Sequence, residues 1–176
     1  MSFPSLECLK LGSRILIVTC SIYLATTLLK DIVLIKKGGG VAIFLKNSIP
    51  FQRREDLILD STLFDSVFIE IDRDIFRREK NIIIGVIYRP PDADLESFIE
   101  LMGVLFEKVK SENKMCYLMG DYNTNLLNYD KHNLTTDFVD LFHSYSYVSL
   151  INRPTRTTRT TATLIDNILT NSYESG

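Results

Sequence analysis

With 176 residues, 45% of them hydrophobic and 24% charged, the chain has the composition of one folded domain with a substantial core and is too short for two large ones. A formal net charge of −2 and a pI near 5.7 exclude the broad basic field of a protein that coats nucleic acid. They leave room for phosphate chemistry carried by a few local Arg, Asn and Tyr side chains.

Three scattered cysteines (Cys8, Cys20 and Cys116), odd in number and without metal-ligand spacing, read as reduced thiols of an intracellular protein, nuclear or cytoplasmic. No Walker loop, GxSxG or HExxH motif occurs.

Residues 1–37 form an unusual leading segment. Arg14 precedes an apolar run to Leu29, which Lys30 and Asp31 end. The run is shorter than the ~18 apolar residues of a spanning helix and is diluted by hydroxyl side chains. Lys10 and Arg14 ahead of it also suit a signal peptide, but no small-x-small cleavage site follows. Its β-branched content favours a core strand or helix. Gly38-Gly39-Gly40 then breaks the chain, and because a strand follows (Val41 to Leu45), the glycines read as a turn or bulge and not as a phosphate cradle.

Pro50 and Arg53-Arg54-Glu55-Asp56 mark a surface loop, Ser66 to Ile71 alternates as a strand, and Arg73 to Lys80 reads as a charged turn. Asn81 to Ile87 is a β-branched run of the kind buried on both faces. Pro90 ends it, leaving Tyr88 and Arg89 at the strand exit as an edge phenol and a surface guanidinium, or as groups offered to a phosphate. Leu95, Phe98, Ile99, Met102, Leu105, Phe106 and Val109 recur at helical spacing, with Asp92 or Asp94 as the N-cap.

Met115 to Met119 reads as a buried strand that runs through Gly120 and presents Asp121 and Asn123 at its mouth. If extended geometry persists, these two side chains point the same way: a carboxylate able to orient or deprotonate a water beside a carboxamide able to bind a phosphate oxygen. Gly, Asp and Asn are also ordinary turn residues.

A second helix carries Phe138, Leu141, Phe142 and Tyr145 on one face. It is followed by a short segment (Tyr147 to Ile151), a Thr/Arg-rich loop from Arg153 to Thr163, and an apolar strand from Leu164 to Leu169. Asp166 inside that strand needs a partner, either a backbone amide, an arginine or a histidine that it orients. His132 and His143 read as solvated side chains. Helical patterns separated by strands, without a repeat or low-complexity linker, point to one α/β or α+β domain with helices outside a sheet.

Five pieces in this order carry a resemblance: Gly38 to Ile43, Ile87 to Pro91, Gly120 to Leu127, Pro154 to Arg156, and Thr163 to Asn171. Together they resemble the endonuclease/exonuclease/phosphatase superfamily, with the DNase I-like fold, and within it the endonuclease domain of non-LTR (LINE-type, jockey-like) retrotransposon polyproteins. The resemblance implies an α+β fold, a partial four-layer sandwich of two packed sheets flanked by helices. It divides the chain into a divergent segment, 1–37, and an incomplete domain, 38–176.

The implied activity is Mg²⁺-dependent DNA nicking, with DNA and the reverse transcriptase domain of a parent polyprotein as partners. By resemblance, Asp121 acts on the water, and Asn123 and Tyr88 contact the scissile phosphate. Thr155, Thr163 and Arg89 line the substrate cleft, and Asp166 holds a catalytic histidine in its tautomer. The family's early Asn, its metal-binding Glu and its Ser-Asp-His motif have no counterpart here, so no metal ligand is assigned.

The expectation is therefore a fragment that does not cleave as it stands. An alternative is a catalytically dead relic that binds nucleic acid weakly through Arg89, Arg153, Arg156 and Arg159; another is a phosphatase or phosphodiesterase of the same superfamily.

Overall fold

The computed structural model describes residues 6–11, 14–19, 31–32, 41–45, 48–59 and 62–172. The expected glycine turn at 38–40 and the end of the leading apolar run lie outside the described residues. The start of that run is strand: β1 (Leu6–Leu11) and β2 (Arg14–Thr19) form an antiparallel hairpin. With β3 (Asp31–Ile32) and β4 (Ala42–Leu45) they make a four-stranded sheet in the order β1-β2-β4-β3. No helix among the described residues is long and apolar enough to cross a membrane.

The larger sheet has six strands. They are β5 (Gln52–Arg53), β6 (Asp65–Ile71), β7 (Ile82–Tyr88), β8 (Met115–Asp121), β9 (Val148–Ser149) and β12 (Asp166–Thr170), in the order β5-β6-β7-β8-β12-β9. β7 and β8 run parallel, joined by a helical crossover, and the other pairings are antiparallel. A small ribbon, β10 (Arg156–Thr157) with β11 (Ala162–Thr163), completes the strands.

Among the described residues three α-helices accompany them: α1 (Arg73–Phe76), α2 (Leu95–Ser111) and α3 (Asn133–Ser144). The Asp94 carboxylate accepts the Ser97 amide at 2.8 Å and caps α2 as its spacing suggests. His132 caps α3, its Nδ1 accepting the Thr135 amide at 3.3 Å.

Side-chain alternation splits the core into two clusters on either face of the six-stranded sheet. Phe68, Ile83, Ile87, Cys116, Leu118 and Leu169 pack under α2 and α3. Val67, Ile69, Ile82, Ile84, Val86, Met119 and Ile168 pack with Ile43 and Leu45 of the smaller sheet and with Val41 just before it. The arrangement is an α+β sandwich, two sheets face to face with helices outside the larger one. Burial pushes the Cys116 thiol up to about 12, so this cysteine is inert core.

Several local expectations are corrected. Arg73 to Phe76 is a helical turn, because the Asp72 side chain accepts the Asp74 amide. The Thr/Arg-rich loop folds into the β10–β11 ribbon. Arg54, expected on a surface loop, is 7% exposed and bonds Asp56, Glu70 and Glu112.

Candidate functional site

The parallel and antiparallel registers line up one row of side chains at the C-terminal rim of β8. Asp65 pairs with Tyr88, Tyr88 with Asp121, and Asp121 with Asp166 across four adjacent strands. Because alternate residues share a face, Asp121 lies on the side of Tyr117 and Met119, and Asp166 on the side of Ile168. Asp65 and Tyr88 follow Val67 and Val86 in the same way. The whole row therefore opens toward the space between the two sheets. Three of its members were singled out in the sequence; Asp65 was not, since an acid at a strand start carries no signal without its register.

Gly120 makes this alignment possible. A Cβ there would lie 1.9 Å from the Ile87 carbonyl oxygen, so only glycine lets β7 and β8 close up immediately before Asp121.

Asp121 and Asp166 are 6% and 1% exposed. The half-exposed Arg156, carried by β10, reaches both: its Nη2 donates to Asp121 Oδ2 at 2.6 Å, and its Nε lies 3.8 Å from Asp166 Oδ2. Burial and the neighbouring Asp166 charge nevertheless hold the Asp121 carboxyl above the ordinary range, against the pull of Arg156. Thr155 fixes the next turn, its Oγ1 accepting the Ile165 and Asp166 amides at 3.4 and 3.3 Å. Thr163 sits opposite Arg156 in the ribbon, and its carbonyl accepts the Thr155 amide at 2.9 Å.

Asn123 departs from the extended geometry that would have aimed it alongside Asp121. Its φ is 46°, and its amide is accepted by Asp121 Oδ1 at 3.0 Å, the turn chemistry that Asp and Asn favour. Its Nδ2 donates to the Arg89 carbonyl at 2.7 Å. Arg89 is 3% exposed, and its guanidinium bonds the carbonyls of Tyr122, Ala93 and Asn123. The two residues thus lock the loop behind Asp121 to the β7 exit, where a free surface arginine was expected. Asn125 also escaped the sequence reading: its Oδ1 accepts the Leu164 amide at 2.9 Å and sets the entry to β12.

Neither histidine joins the row. His132 is a helix cap, and His143 is exposed on α3 against Phe142. The magnesium that the resemblance implies needs near-octahedral oxygen ligands. Among the described residues no three His, Cys, Asp or Glu side chains stand close enough together to hold a metal ion, and a guanidinium already lies between the two carboxylates. With the guanidinium in that place, the described rim residues do not fit the ion.

The family model described as "Endonuclease/Exonuclease/phosphatase family" matches residues 16–174. Among solved structures, the endonuclease domain of TRAS1, a telomere-specific non-LTR retrotransposon, aligns with a TM-score of 0.58 and 16% identity, over 79% of this chain and 64% of that one. The human Nocturnin catalytic domain with bound sulfate aligns with a TM-score of 0.50 and 14% identity, over 76% and 52%. Beta toxin from Staphylococcus aureus with bound magnesium ions has a TM-score of 0.46 and 15% identity, over 74% and 52%. The chain thus spans about half to two thirds of these structures' length. No curated protein matches it by sequence.

Proposed function

The chain belongs to the endonuclease/exonuclease/phosphatase family, and from that premise we propose that it is a retroelement-type DNA phosphodiester domain whose described residues bind the backbone without cleaving it. One observation carries the reading: Tyr88, Asp121 and Asp166 stand abreast on one face of three adjacent strands, with Arg156 across the carboxylates. Their convergence supports a phosphate site at the sheet rim.

Each residue has a part in it. Arg156, half-exposed on a short ribbon, is the cation that a DNA phosphate meets, since a guanidinium carries planar donors that suit phosphate. Tyr88 stands in register with Asp121 in the same row. Asp121 takes the Arg156 guanidinium on one oxygen and the Asn123 amide on the other, and so fixes the cation at the rim. Asn123 and Arg89 position Asp121 by fixing the loop that follows it. Thr155 and Thr163 hold the ribbon to the start of β12. The order of the Tyr-Arg-Pro-Pro, Gly-Asp-Tyr-Asn and Pro-Thr-Arg pieces supports a retrotransposon origin, with a reverse transcriptase domain as the covalent partner.

The test uses the 176-residue chain, supercoiled plasmid and Mg²⁺. The expected result is retarded plasmid that stays supercoiled. Conversion to open circles that Asp121→Ala abolishes would overturn the non-cleaving part of this reading. Absence of any retardation at low salt would overturn the whole of it.

A further inference from the structure

An open cleft of about 870 Å³ lies at the opposite end of the six-stranded sheet. It is bounded by the turn after α1, the C-terminal end of α2, the start of β8 and the residues that follow β12. β8 spans seven residues, so this end stands about 20 Å from the Asp121 rim. In a chain of net charge −2, five cations gather here among the described residues, Arg77, Arg78, Lys80, Lys110 and Lys114, with Glu79 as the one acid described in the lining.

The neighbouring contacts decide how much of that charge is available. Lys114 is neutralised by Glu70 and Glu112, 2.7 and 2.6 Å away. Lys80 donates to the neutral Asn113 amide at 2.7 Å, and Lys110 lies over the Tyr145 ring at 5.3 Å, contacts made to uncharged groups. Arg77 is exposed on a left-handed residue that ends α1, with its side chain at the cleft edge. The lining is mostly charged, amide or hydroxyl, with Val109, Met115 and Tyr145 as its apolar part.

We infer that this cleft is a second phosphate-binding surface, which holds a nucleic-acid segment separate from the one at the Asp121 rim. The inference rests on the proposed function for its choice of polyanion. Contacts of this kind release counterions from the backbone and bind without reading sequence. About 20 Å along β8 separates the two surfaces.

Titration calorimetry of the whole chain with a short duplex tests it. The expected stoichiometry is two duplexes per chain. Arg77→Asn with Lys110→Gln should leave one, weaken the lost site at least tenfold at 50 mM salt, and lower the salt slope of total binding by about two. Arg156→Ala should remove the other site instead, so the two readings fail separately. A circular dichroism spectrum matching the wild type confirms folding of each variant. Unchanged binding by the double variant overturns the inference. So does displacement of the far duplex by millimolar inorganic phosphate or by poly-glutamate as readily as by DNA.

Discussion

Asp121 and Asp166 face each other across the β8–β12 ladder, two buried carboxylates in direct cross-strand register with Arg156 reaching both. Like charges directly opposite one another in a sheet oppose folding. The fold tolerates the pair because one guanidinium offsets part of the repulsion; burial first, and the remaining Asp166 charge second, raise the proton affinity of Asp121.

That remainder has a sign. A carboxyl whose folded pKa lies above its unfolded value contributes stability below the ordinary carboxylate range and loses it as pH rises. Asp121→Asn removes one charge and keeps the oxygen that accepts the Asn123 amide, while the half-exposed Arg156 loses its bond to the other oxygen and keeps Asp166. The variant should melt about 2–4 °C above the wild type at pH 7, with the gain shrinking toward pH 4. Thermal melts at the two pH values check it; a lower melting point for the variant at pH 7 contradicts it.

Gly120→Ala should be severe. The added methyl meets the Ile87 carbonyl, which is backbone and cannot rotate away, so β7 and β8 must separate at the rim. A loss of about 3 kcal/mol or more is expected in urea unfolding, with the amides of Arg89 and Tyr122 exchanging faster. A loss below 1 kcal/mol would show that the strands can shift at that point.

At the far end of the sheet, Arg54→Met strips a shared cation from Glu70, Glu112 and Asp56 and should destabilise by about 2–3 kcal/mol, reduced from the fully buried case because Asp56 is exposed. Arg54 holds the Asp56 and Glu112 carboxyls below their ordinary values. Burial alone would raise Glu70, but bonds from Lys114, Asn81 and Arg54 outweigh it and lower it as well. Carboxyls lowered in this way contribute stability above the ordinary range and lose it as pH falls through their folded values. Acid unfolding followed by circular dichroism should therefore begin at higher pH in the variant, and an unchanged acid midpoint would refute this.

Arg89→Lys tests whether the arginine acts through the loop. A lysine offers one ammonium where the guanidinium reaches three separate carbonyls. Hydrogen exchange at Asn123 and Thr124 should speed up by at least tenfold, while the centre of β8 keeps its protection. Equal protection of the loop in both proteins would remove Arg89 from that role.

The large elements were legible because burial dictates residue type. The β-branched run at 81–87 could only be a strand covered on both faces, and the 3–4 spacing from Leu95 to Val109 could only pack as an amphipathic helix. The Asp inside the last strand announced a partner for the same reason. What escaped depends on register and on turns. Asp65 joins the row through pairing with β7, Asn123 leaves it through one left-handed residue, and Arg156 reaches the carboxylates because a ribbon folds within a stretch that reads as loop. Arg54 and Arg89 looked like surface charges, since composition does not reveal which arginines find buried carbonyls and carboxylates.

The most direct measurement is duplex DNA binding without divalent metal, by fluorescence anisotropy, comparing Asp121→Asn and Arg156→Ala in the far-cleft variant background that leaves the rim alone. A phosphate seated at the Asp121 rim must feel both groups with opposite sign. Removing the carboxylate charge should tighten binding severalfold, and removing the guanidinium should weaken it by about tenfold and lower the salt slope by about one. If both substitutions leave affinity and salt slope unchanged, DNA does not meet this row of side chains, and the site lies elsewhere.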